Sequence, residues 1–125
     1  MQSTPAFAYH EADSSMQLQK HSQVVATLRA SLWPIQGVLV SYQSNKERST
    51  LAGDFQALDC HHNNIKKLMV HLCAECDNAC TALSTKKLEQ LIEHTQNAQL
   101  LFRKLDHEAT HFQKIVAKRF PHSKM

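Results

Sequence analysis

Apolar side chains recur along this chain in steps of three and four, forming three successive seams. The first runs Leu18, His21, Val25, Leu28, Leu32, Ile35, Leu39, Tyr42. The second runs Leu51, Phe55, Leu58, His62, Ile65, Met69, Leu72, Cys76, Ala79, Leu83, and the third Leu88, Leu91, Thr95, Ala98, Phe102, Leu105, Ala109, Phe112, Val116. Such steps place side chains on one stripe of an α-helix, which must be buried against other helices. The chain therefore reads as all-α. The expected fold is an antiparallel up-down-up bundle of three long helices, the first kinked at Pro34, behind an extended N-terminal segment.

The punctuation of the chain sets the expected boundaries. Residues 1–12 contain Pro5 and no sustained period, so they read as irregular. Ser14 and Gln17 have capping-box spacing, which starts a first helix over 14–43. Pro34 interrupts it by removing one backbone hydrogen bond and pressing on the preceding turn, while the seam stays in phase beyond it. Trp33 and Gly37 flank that weak point. Ser44 and Glu47 form a second capping pair, so a turn is expected at Ser44–Asn45 and a second helix over 45–83, with Gly53 near its loosened start. Ser84 and Thr85 break the pattern again, and a third helix over 85–119 ends before Pro121. Short connections make long amphipathic helices antiparallel neighbours. That register leaves the apolar end from Cys76 to Leu91 projecting past the start of the first helix, and Phe7 and Tyr9, or a second copy of the chain, are the candidates to cover it.

Composition narrows the function. At 125 residues the whole chain, 1–125, reads as a single helical domain. Only 2 Gly and 3 Pro oppose a turn-dense β fold. The formal charge of +3 comes from interspersed signs and implies no strong electrostatic partner. No apolar run reads as long enough to cross a bilayer, and Met1 to Tyr9 lack the pattern of a secretory signal. Four cysteines, three of them along one helix, suit a reducing compartment better than disulfides. A soluble, cytoplasmic protein without a membrane partner is expected.

Four constellations carry possible chemistry. His107-Glu108-Ala109-Thr110-His111 is a literal HExxH, the pattern with which zincin proteases hold zinc on a helix. Ala109 and Phe112 are seam positions, however, so His107 and His111 should face solvent, and too little chain follows to complete a protease cleft. Cys73, Cys76 and Cys80 lie near one helix face, with His71 turned away, and soft thiolates at that spacing suit Zn or Cu(I). The Cys76–Cys80 step is similar to that of helical copper-storage proteins, which carry many such pairs where this chain has one. Otherwise these cysteines serve as small buried apolar groups. His62, His94, His107 and His111, with Asp59 and Glu93, look a little like hemerythrin- or DinB-type bundles; Ala98 stands four after His94 where such a site needs a carboxylate. His111 with Lys114 has half of a histidine phosphotransfer motif, but Ile115 replaces its small residue.

The basic C-terminus, Lys114, Lys118, Arg119, His122 and Lys124, matches the negative end of a helix dipole and has no aromatic interleaving, so nucleic acid is not expected as a partner. No cofactor and no catalytic residue emerge. The reading that remains is a non-enzymatic protein-protein interaction module: a small adaptor, chaperone-like or regulatory protein that binds another protein or a second copy of itself. The apolar positions beside the seams, Leu68, Ile92, Leu101 and Ile115, are the expected partner-binding residues. The alternative is a transition-metal bundle holding Zn or Cu through Cys73, Cys76 and Cys80 or through His107 and His111, and the third is phosphotransfer signalling on His111. His21 and His62 sit in the seams, so acid should loosen the bundle if they are buried.

Overall fold

A computed structural model describes the backbone of residues 3–49 and 55–120, with side chains from Ser15 onward. All regular structure among the described residues is helical: α1 (Ser3–Ala30), α2 (Leu32–Arg48), α3 (Gln56–Ser84) and α4 (Leu88–Arg119). The core is made by the three seams. Val25, Leu28, Ile35, Leu39 and Tyr42 from α1 and α2 meet Leu58, Ile65, Leu72, Cys76 and Ala79 from α3 and Leu91, Ala98, Leu105, Ala109, Phe112 and Val116 from α4. Every described seam residue is buried or half-buried. Ala82 is the one buried apolar residue outside the seams among those described.

Polar contacts fix the register. Arg29 on α1 pairs with Asp77 on α3, while Tyr42 Oη donates to Asp59 Oδ1 at 2.8 Å and Lys46 Nζ to Asp59 Oδ2 at the same distance. Between α3 and α4, Glu75 pairs with His94 and His61 lies beside Glu108. Thr95, a polar seam residue only 1% exposed, is satisfied within its own helix by donating to Leu91 O at 2.7 Å.

The break before α2 lies one turn ahead of Pro34. Pro34 has no N–H to donate to the Ala30 carbonyl, so α1 closes at Ala30 and α2 opens at Leu32. Ser31 between them keeps right-handed helical angles (φ −69°, ψ −14°). The α3–α4 turn closes as a Schellman motif: Lys87 N–H bonds Ala82 O at 2.9 Å and Lys86 N–H bonds Leu83 O at 3.1 Å. Lys86 sits at the position where that motif needs a left-handed residue, with φ 58°.

Four expectations are corrected. The N-terminal segment is not extended, because α1 begins at Ser3 and runs on past residue 12 without a break. Pro5 falls in the first helical turn, where the N–H it lacks would have no acceptor, and good helix formers follow it. Ser14 and Gln17 therefore lie inside α1 and not at its start. Nor does the chain turn at Ser44–Asn45: both lie inside α2, which runs to Arg48, and α3 begins at Gln56 rather than 45. Lys46 is held to Asp59, so the last turn of α2 is tied to the bundle instead of unwinding. The third helix starts at Leu88, after the turn at 85–87. Finally, α1 and α2 taken together over Ser15–Arg48 contain a window apolar enough to span a membrane by length and composition, with mean hydropathy 1.3 and 28% of the window buried. Leu51 and Gly53, and the side chains of Phe7 and Tyr9, lie outside the described residues. Cys76, Ala79, Ala82 and Leu91, at the end those two side chains were expected to cover, are all 2% exposed or less.

Candidate functional site

Two features of the surface invite function: an apolar stripe along α1 and α2, and a histidine–carboxylate cluster between α3 and α4. The stripe comprises Ala26, Ala30, Trp33, Gly37 and Val40, all exposed, in steps of four and three. It is a second helical stripe on the side of α1 and α2 turned away from the seam, about 21 Å long at 1.5 Å per residue. Trp33 is 78% exposed and Val40 57%. No residue from Ala30 to Asn45 carries a charge. Small residues, Ala30 and Gly37, sit one turn to either side of Trp33, and a Cβ placed on Gly37 would meet nothing within 4 Å.

The stripe borders a groove of about 550 Å³ between α2 and α3, lined by Gln36, Val40, Gln43, Lys46, Asp59, His62 and their neighbours. Asp59 is its electrostatic centre. The Lys46 ammonium and the Tyr42 hydroxyl donate to it and hold its carboxyl below the usual carboxylate range. Burial, reinforced by Asp59, pushes the Tyr42 hydroxyl well up. His62 packs its ring against Tyr42 and Phe112, and burial together with Lys66 depresses its imidazole. His21 is likewise depressed by burial, with Lys20 adding to the effect, and its Nδ1 has no hydrogen-bond partner among the described residues.

On the other face, His61 of α3 reaches toward α4. Its Nδ1 lies 3.9 Å from Glu108 Oε2, and its ring meets that of His111 at 5.6 Å between centroids and 73° between planes. That Nδ1 is buried and makes no hydrogen bond among the described residues. His107 is exposed, as the seam requires, and lines a separate groove with Lys67, Lys104 and Glu108. The two histidines of the HExxH motif thus have different surroundings, and its glutamate leans inward toward α3.

The other candidates do not gather. Cys76 is fully buried, with burial pushing its thiol up; Cys73 is exposed and Cys80 half-buried, and all three are free thiols. His94 has Glu75, not Glu93, as its partner, with Nδ1 at 2.7 Å from Oε2. Among the described residues no three His, Cys, Asp or Glu side chains stand close enough to hold a metal ion as they are placed. Leu68, Leu101 and Ile115 are half-buried and pack against the core; Ile92 is half-buried too. His61 escaped the sequence reading because it lies one position off the seam, where the pattern predicts solvent. Its signal was its spacing from Ile65: four residues back, on the shoulder of α3 that α4 covers. The apolar stripe escaped because the period that reveals it is the same one that defines the seam.

Comparison of the chain with protein-family models, with curated proteins and with solved structures finds no match to any of them.

Proposed function

We propose that this protein is a non-enzymatic helical interaction module that pairs with a second copy of itself through the stripe centred on Trp33. The fold inferred for it is an up-down-up bundle whose first long helix, α1 and α2 together, bends between Ala30 and Pro34 and carries the stripe on its outer side. The observation that carries the reading is the run Ala26, Ala30, Trp33, Gly37, Val40, exposed and uncovered among the described residues. Burying a large aromatic is strongly favourable, whereas leaving it in water gains nothing.

Three properties favour a second copy as the occupant. A two-fold interface uses the same patch on both sides, so the patch must be self-complementary; here one knob, Trp33, is flanked by the hollows at Ala30 and Gly37. A chain with net charge +3 repels its copy through charged surface, and the stretch from Ala30 to Asn45 carries none. The apolar window within Ser15–Arg48 also has a core-facing side already engaged by Val25, Leu28, Ile35, Leu39 and Tyr42. A packed, amphipathic helix with a narrow outer stripe suits another helix better than a bilayer interior.

The test uses the full chain in light scattering and sedimentation over a wide concentration range, alongside the fluorescence of its single tryptophan. A dimer whose Trp33 emission shifts to the blue as it forms, and which Trp33→Glu converts to a folded monomer, is the expected result. A monomer at every concentration overturns the reading. So does a blue shift seen only on adding lipid vesicles, which would assign the stripe to a membrane surface.

A further inference from the structure

We propose that His61, Glu108 and His111 form a binding site for a divalent transition-metal ion, bridging α3 and α4, with zinc as its natural probe. This does not rest on the self-pairing of the stripe, which lies on the other helices. Two imidazoles and a carboxylate are a borderline donor set of the kind that binds zinc, with water completing a tetrahedron.

Two separations across α3 and α4 lie near those of a zinc site. Ligand atoms about 2.0–2.1 Å from zinc lie roughly 3.3 Å from one another in a tetrahedron, and the imidazole centroids of a zinc-bound pair lie roughly 5 Å apart. Here His61 Nδ1 and Glu108 Oε2 are 3.9 Å apart and the His61 and His111 rings 5.6 Å. Both separations exceed the liganded values by only about half an ångström. The pairs His61–Glu108 and His61–His111 are open by that margin, and no three donors among the described residues are placed to hold an ion until the side chains turn.

A second observation points the same way. His61 Nδ1 is buried, lacks a hydrogen bond among the described residues and faces the carboxylate. A buried polar atom left unpaired is costly, and a metal ion would satisfy it. Geometry selects His61 over His107 as the partner of His111: its ring meets that of His111 and its Nδ1 faces Glu108. His107 lines the groove shared by Lys67, Lys104 and Glu108. Glu108 and His111 come from one face of α4, one turn apart, and His61 comes across from α3, so an ion would pin the two helices together. The HExxH motif would then contribute Glu108 and His111 as ligands, with His107 outside the site and no general base in place.

The experiment takes the full chain stripped with chelator and titrates it with zinc chloride by calorimetry. Cobalt(II) substitution, with its visible absorption as a coordination signature, is run in parallel. One zinc per chain is expected, with a rise in Tm, because an ion that binds only the folded chain stabilises it. His61→Ala and Glu108→Gln should each weaken binding by about ten-fold or more, whereas His107→Ala should change it little. Glu108→Gln keeps size and shape, so its loss of affinity is read in a chain whose helix content circular dichroism shows to be intact. Absence of saturable binding overturns the site. Equal losses in His107→Ala and His111→Ala with no effect of His61→Ala would also overturn it, since they mark an adventitious pair on the outside of α4.

Discussion

Tyr42 and Phe112 meet ring to ring at 5.1 Å between centroids and 74° between planes, both fully buried, and this contact ties α2 to α4. Near-perpendicular rings at this distance add to what their buried area supplies. Phe120 extends the cluster toward Tyr42 and stacks on Phe55, whose ring Arg119 covers at 4.7 Å from the centroid. The cluster closes the end of the bundle where α2 gives way to α3. Phe112→Ala should therefore cost about 3–5 kcal/mol of unfolding free energy, measured by denaturant titration. Tyr42→Phe keeps the ring and removes only the hydroxyl donated to Asp59, which Lys46 also satisfies, so its loss should be nearer 1 kcal/mol. A Phe112→Ala loss no larger than that of Tyr42→Phe would mean that the ring contact does not stabilise the bundle.

These residues show how far a sequence can be read. Spacing alone places Tyr42 and Phe112 in the core, because burial follows helical period wherever a helix packs on one side only. Ends were less legible. Ser44 with Glu47 has the chemistry of a cap, yet Lys46 is held by Asp59, a residue of another helix, and that tertiary contact keeps α2 going to Arg48. Pro5 looked like a breaker, and the first turn of a helix is the place that tolerates one. The proximity of His61 to Glu108 and His111 was hidden for a related reason. It depends on how α3 rotates against α4, and periodicity specifies which face is buried without specifying which shoulder residues meet.

Acid should destabilise the bundle in two steps. Folding depresses the imidazoles of His21 and His62 below the ordinary 6.5. As pH falls through about 6.5 the unfolded chain takes up protons first, so their stabilising contribution is complete at higher pH and shrinks until the folded-state values are passed. Asp59 acts in a lower window: its carboxyl is depressed by Lys46 and Tyr42, so its contribution is present above the ordinary 3.8 and is lost as pH falls below it. Tm measured from about pH 8 to pH 5 should decline, and His62→Gln should flatten the decline. A Tm that holds steady over that range would show that neither imidazole is coupled to folding.

Lys86 occupies the left-handed position of the Schellman motif between α3 and α4 at φ 58°. A side chain with a Cβ is strained there by about 1–2 kcal/mol, and glycine is not. Lys86→Gly should therefore raise stability, by about 1 kcal/mol once the extra freedom glycine brings to the unfolded chain is subtracted. The gain should appear in the denaturation midpoint with an unchanged slope. If the variant proves less stable, the ammonium of Lys86 contributes more than its backbone strain costs.

Gly37 separates the stability of one chain from the pairing of two. In an isolated bundle it is an exposed glycine within α2, and an added Cβ meets nothing within 4 Å. Gly37→Ala should then stabilise the single chain by about 1 kcal/mol through helix propensity alone, and Gly37→Leu by nearly as much. In the self-paired form the same position is the hollow that receives the partner's Trp33. Leucine would fill that hollow, so Gly37→Leu should raise the dimer dissociation constant by about ten-fold or more, the cost of roughly 1.4 kcal/mol of lost packing. Greater stability at low concentration combined with weaker association at high concentration is a signature that neither effect produces alone. If Gly37→Leu associates as tightly as the natural chain, Gly37 is not the seat of Trp33 and the stripe does not pair as proposed.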